Sequence, residues 1–98
     1  MSNKTAEKLL DARELEAPLP LEYAIKILSS LEDGEYLKMI HRMKPCKLDA
    51  ILDANGFWYT YFEDGGNHYI YAAKKSDNPT IKLISENIKD EHGRTIAF

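Results

Sequence analysis

A single cysteine, Cys46, among 98 residues excludes an internal disulfide, and one thiol cannot build a structural zinc site. The three histidines, His41, His68 and His92, show no H-x-x-x-H spacing, so no metal and no other cofactor is expected. No apolar run approaches the ~18–20 residues of a membrane span. The opening Met1-Ser2-Asn3-Lys4-Thr5 lacks the apolar core of a secretory signal. These absences predict a cytoplasmic protein. Glycine is also scarce, with five residues and no phosphate-cradling loop, because Gly65-Gly66 is not followed by a helical pattern. Positive charge is in deficit: 13 Lys and Arg against 16 Asp and Glu leave a net −3, which removes the electrostatic case for nucleic acid.

What is present suits one small domain, with 44% hydrophobic residues. Residues 1–8 are polar and read as a flexible N-terminus. A short strand over 9–12 is followed by a helix opened by Pro20, where a missing N–H costs nothing. Leu21, Ala24, Ile25, Leu28 and Leu31 form its apolar stripe, and Asp33-Gly34 its stop. Residues 36–40 alternate as a second strand. Pro45 restarts a helix with Leu48, Ile51 and Leu52 on one side and Asn55-Gly56 at its end. Residues 57–62 and 68–73 are β-rich and flank the turn Asp64-Gly65-Gly66-Asn67, a hairpin pattern. The order βαβαββ predicts an α+β fold: a two-layer sandwich whose mixed sheet carries both helices on one face.

Residues 9–75 make up that domain and 76–98 an extension. Ile81, Leu83 and Ile84 suit another strand or a segment docked on the sheet, and residues 85–92 suit a helix. The extension has a physical use. Phe57, Tyr59 and Tyr61 fall on one side of the hairpin, Trp58 and Phe62 on the other, whereas a sheet covered on one face should be polar on its second. The excess calls for a cover by the C-terminal segment and by a second subunit, a possible homodimer.

The segment Asp11-Ala12-Arg13-Glu14-Leu15-Glu16-Ala17-Pro18-Leu19-Pro20 resembles the signature of the TusA/SirA-like sulfur-carrier family, a strand reading D-x-R-G-L-x-C-P-x-P into a helix. Asp11, Arg13, Leu15, Pro18 and Pro20 match. Ala17 stands where the family keeps its sulfur-carrying cysteine, and a methyl group cannot hold a persulfide. The closer resemblance is to an uncharacterised branch that also lacks this cysteine and places P-x-P-L ahead of its second helix. Here that element reads Pro45-Cys46-Lys47-Leu48. The resemblance spans roughly 9–74 and implies the βαβαββ sandwich and a loose link to sulfur transfer or redox metabolism.

The expected working surface is therefore the rim of Arg13, Ala17, Pro18, Pro20, Lys44, Pro45 and Cys46, at the end of the sheet where both helices begin. Arg13 either grips an anion with two hydrogen bonds or pairs with Asp11. Cys46, between Lys44 and Lys47 at a helix start, is either an activated thiol or an inert one packed near Leu48. No pair of carboxylates is placed for acid–base work, so no catalytic residue is expected. Three functions remain: a non-enzymatic binding or accessory module for a protein partner or a small anionic ligand, a sulfur carrier using Cys46, and a structural subunit of a larger assembly.

Overall fold

In this computed structural model, which describes residues 7–44 and 47–95, alternation of apolar and polar side chains builds one four-stranded sheet. Its strands are β1 (Glu7–Asp11), β2 (Tyr36–His41), β3 (Phe57–Asp64) and β4 (Asn67–Lys74). The helices are α1 (Leu19–Ser29), α2 (Leu48–Ala54) and α3 (Asn78–His92). Strand order is β1-β2-β4-β3: β1 runs parallel to β2, while β4 is antiparallel to both its neighbours. The βαβαββ core has α1 and α2 on one face, as expected from the sequence.

That face carries Leu10, Leu37, Met39, Ile70 and Ala72, which bury against Ala24 and Leu28 of α1 and Leu48 and Leu52 of α2. The opposite face carries Tyr36, Phe62, Tyr71 and Ala73 and packs on Ile81, Ile84 and Ile88 of α3. The third helix thus adds a layer over the aromatic side of the hairpin. Fully burying one such apolar side chain stabilises by about 1.5–3 kcal/mol, so both layers contribute to holding the sheet.

Several boundaries differ from the sequence expectation for identifiable reasons. α1 ends at Ser29 rather than at Asp33-Gly34, because the hydroxyls of Ser29 and Ser30 donate to the carbonyls of Ile25 and Lys26 and satisfy its last turn. Leu31 lies beyond the helix yet stays buried, whereas Ile25 is 39% exposed. Residues 81–84 form no strand. Asp77 caps a helix there, accepting from the Thr80 N–H at 3.4 Å and the Thr80 hydroxyl at 2.7 Å. Gly93, in the left-handed region, ends it. The hairpin turn needs positive φ at both central residues, and Gly65 (61°) and Gly66 (84°) supply it. No helix among the described residues is long and apolar enough to cross a membrane.

Polar contacts pin α3 along its length. The Asp77 carboxylate also accepts from the Gly34 N–H at 2.8 Å, tying the helix start to the α1–β2 loop. The Tyr36 hydroxyl donates to Glu7 at 2.9 Å and accepts from Asn87 at 2.8 Å. At the far end Glu91 meets Tyr71 and Lys38, and His92 Nδ1 lies 2.6 Å from Asp64 with its ring edge-on to Phe62 and Tyr69. Burial, more than any neighbouring charge, pushes the Tyr36 and Tyr71 hydroxyls far above the ordinary tyrosine range.

Candidate functional site

Because β1 and β2 are parallel, the loops that leave them open at the same end of the sheet, where α/β folds place their ligand crevices. The ladder continues one step past β1, with the Ala12 N–H donating to the Ile40 carbonyl at 2.8 Å. The chain then turns back twice, Leu15 N–H to the Ala12 carbonyl and Leu19 N–H to the Glu16 carbonyl, and delivers Pro18 to the cap position of α1. On the neighbouring loop the His41 ring acts as the organiser. Its Nδ1 accepts from the backbone N–H groups of Arg42 (2.8 Å) and Met43 (3.3 Å).

Between these loops lies a cleft of about 350 Å³, within the usual size of a ligand pocket. Its floor is apolar: Pro20 and Leu21 from the first turn of α1, Met39 from β2 and Leu48 from α2. Ala17, Pro18 and Met43 form the mouth, and Lys44, Lys47 and His41 the polar edge. A second cavity of about 450 Å³ shares Ala17, His41 and Met43 with the first and adds Leu15, Glu16 and Arg42. The two adjoin along these shared residues. Met43, 66% exposed, is the most exposed large apolar side chain among the described residues.

The electrostatics of the groove run against those of the whole chain. Net charge is −3, yet Arg42, Lys44 and Lys47 stand on the groove and Glu16 is its one carboxylate among the described lining residues. Burial, followed by Arg42 and His68, holds the His41 imidazole below its ordinary value. His41 is therefore neutral at neutral pH, and its two backbone donors place the proton on Nε2. The Lys44 ammonium sits 5.2 Å over the Tyr61 ring, whose hydroxyl contacts His68 Nδ1 at 2.6 Å. An aromatic face of the sheet thus holds Lys44 at the groove. Among the described residues, nothing in this arrangement is a nucleophile next to a base.

The backbone has a counterpart among solved structures. The crystal structure of a SirA-like protein from Desulfitobacterium hafniense superposes with a TM-score of 0.58 over 65% of this chain and 92% of that one, at 22% identity. The chain has a SirA-like fold. No protein-family model and no curated protein matches the chain.

On this SirA-like frame the predicted rim residues separate into three groups. Ala17, Pro18, Pro20 and Lys44 come together as parts of one groove. Arg13 does not line it. Its guanidinium grips Asp11 through Nε to Oδ1 (2.8 Å) and Nη2 to Oδ2 (2.6 Å), the structural one of its two expected roles. That grip lowers the Asp11 carboxyl to about 2. Pro45 and Cys46 lie outside the described residues, as do residues 1–6 of the N-terminal segment. Sequence reasoning missed Leu21, Met39, Met43, Lys47 and Leu48 as groove residues and weighed His41 only as a metal ligand. A signal existed for Leu21 and Leu48: each lies in the first turn of a helix that opens at this rim. For Met39 only its inward place in β2 was readable.

Proposed function

We propose that this chain is a non-enzymatic binding module of SirA-like fold that works by contact through the groove between the starts of α1 and α2. Its occupant is a segment of a protein partner that offers an apolar side chain beside carboxylates. One observation carries the reading: an apolar floor with a cationic edge, in a chain whose overall charge is negative. The floor takes an apolar anchor at about 25 cal/mol per Å² buried. The edge supplies orientation and partner choice more than affinity, because rim charges mainly steer and select.

The link to sulfur transfer or redox metabolism comes from the resemblance of the segment Asp11 to Pro20, and Ala17 at the mouth removes the covalent step from that position. Loss of the thiol leaves a contact surface in its place. A cytoplasmic location is part of the same reading and is supported by the lone cysteine.

Decanoate, an apolar chain ending in a carboxylate, serves as a probe of this chemistry. In amide chemical-shift titrations it should perturb Ala17, Met43 and Leu48 and leave α3 unmoved. The double charge reversal Lys44→Glu, Lys47→Glu should weaken the response by about tenfold, the worth of one charge-assisted contact. Shifts centred elsewhere on the sheet, or unchanged affinity in the double variant, would overturn the assignment.

A further inference from the structure

The two edges of the sheet are built differently. Edge β1 carries Glu7, Lys8 and Asp11, charges of the kind that discourage strand addition. Edge β3 has no charge from Phe57 to Phe62, and residues 57–61 stay only half-buried although they form the most aromatic stretch of the chain. The direction of its backbone groups follows from the ladder. The Gly56 carbonyl accepts from the Lys75 N–H, so Gly56, Trp58, Thr60 and Phe62 direct their backbone groups toward β4. Phe57, Tyr59, Tyr61 and Glu63 direct theirs outward. Arg94 confirms this alternation by donating to the outward Glu63 carbonyl at 2.6 Å. Among the described residues, no backbone group pairs with the outer side of β3.

We infer that a second copy of this chain adds to that edge, β3 to β3 in antiparallel register about a two-fold axis at Thr60, joining the two sheets into one. This register satisfies three requirements together. Tyr59 exchanges backbone N–H and C=O bonds with Tyr61 of the second copy, and the reverse pair repeats them. Trp58 faces Phe62 of the second copy, an aromatic cross-strand pair at a close, non-hydrogen-bonded position. The ends are complementary in charge: Glu63 falls opposite Phe57 of the second copy, whose β4 neighbour is Lys74. The Glu63 and Lys74 side chains lie on the same face, are 62% and 39% exposed, and sit two strand spacings apart, about 10 Å. Shifting the axis to Tyr61 instead sets Tyr59 against Glu63 and Trp58 against Asp64, and leaves Tyr61 against its own copy as the one aromatic pair. At the outermost pairs Arg94 competes for the Glu63 carbonyl, so the Tyr59–Tyr61 pairs carry the ladder. The inference stands apart from the groove and does not need it.

Sedimentation equilibrium from micromolar to near-millimolar protein tests the state, and two variants test the register. The wild type should show a reversible monomer–dimer equilibrium. Thr60→Lys sets like charges opposite each other on the axis and should weaken it by about tenfold or more, with unchanged circular dichroism. Thr60→Cys in a Cys46→Ser background should cross-link under mild oxidation, because the α-carbons of such a pair lie ~4.5 Å apart, within disulfide reach. Lys82→Cys in the same background should not. Should Thr60→Lys unfold the chain, the cross-linking comparison decides alone. A strict monomer at every concentration, or a dimer in which Thr60→Cys cross-links no better than Lys82→Cys, overturns the inference.

Discussion

Asp77 is the sharpest test of how the second face of the sheet stays covered. Its carboxylate takes three hydrogen bonds, from the Gly34 N–H, the Thr80 N–H and the Thr80 hydroxyl, so it both caps α3 and ties it to the α1–β2 loop. Loss of an N-cap costs about 0.5–2 kcal/mol. The Gly34 bond, made to an ionised acceptor, adds about 1 kcal/mol after partial solvent screening. Asp77→Ala should therefore destabilise by about 1.5–3 kcal/mol, a large share of the 5–15 kcal/mol of an ordinary domain. Asp77→Asn keeps an acceptor at the cap, loses only the charge, and should cost about 1 kcal/mol. Urea unfolding with an unchanged slope measures both. The dependence on pH has a definite sign. The Gly34 bond, then the Thr80 bonds, lower the folded Asp77 below its ordinary 3.8, so its contribution is complete above the unfolded value. It is lost as pH falls through the depressed folded value, and the gap between wild type and Asp77→Ala should narrow there. A destabilisation within about 0.5 kcal/mol, typical of an ordinary surface change, would refute the reasoning.

Two further outcomes bear on the core and on the remaining thiol. Ile84 is fully buried between α3 and the aromatic face, so Ile84→Ala should cost about 2–4 kcal/mol in the same assay and raise the binding of a hydrophobic dye. If Cys46 is a sulfur acceptor, its thiolate attacks the outer sulfur of a cysteine desulfurase persulfide, the desulfurase thiolate leaves, and the intact mass rises by about 32 Da, one sulfur atom. The adduct should be absent in Cys46→Ser, and no gain in the wild type discards the carrier reading.

The fold was legible wherever local chemistry and hydrophobic period agreed. Pro20 with Ala24 and Leu28 announced α1, and Gly65-Gly66 between aromatic strands announced the hairpin. The failures came where a side chain overrode the pattern. Two serine hydroxyls end α1 ahead of the glycine that looked like its stop, and of the two readings open for Ile81, Leu83 and Ile84, a strand or a docked segment, an aspartate cap selects the docked one as the first turns of α3. The need for a cover on the aromatic face could be read from Trp58 and Phe62, but not its form. Apolar spacing in Ile81, Ile84 and Ile88 fits a helix only once Asp77 and Pro79 are recognised as its start.

The groove was less legible than the fold because its parts lie far apart in the chain and none is unusual alone. Met39 is an ordinary inward strand residue, and Lys47 an ordinary surface lysine. Only the parallel pairing of β1 and β2 brings the two helix starts together and makes a cationic edge of residues that an acidic composition hides. The same geometry puts Ala17 at the mouth of the cleft, so the residue type there bears on what the groove can do. A cysteine at position 17 would place a reactive sulfur at the mouth of this cleft, where an alanine instead extends its apolar wall toward Met43. An alanine there offers no covalent handle, only an apolar contact. In the binding reading proposed above, that wall and the cationic edge together hold the partner.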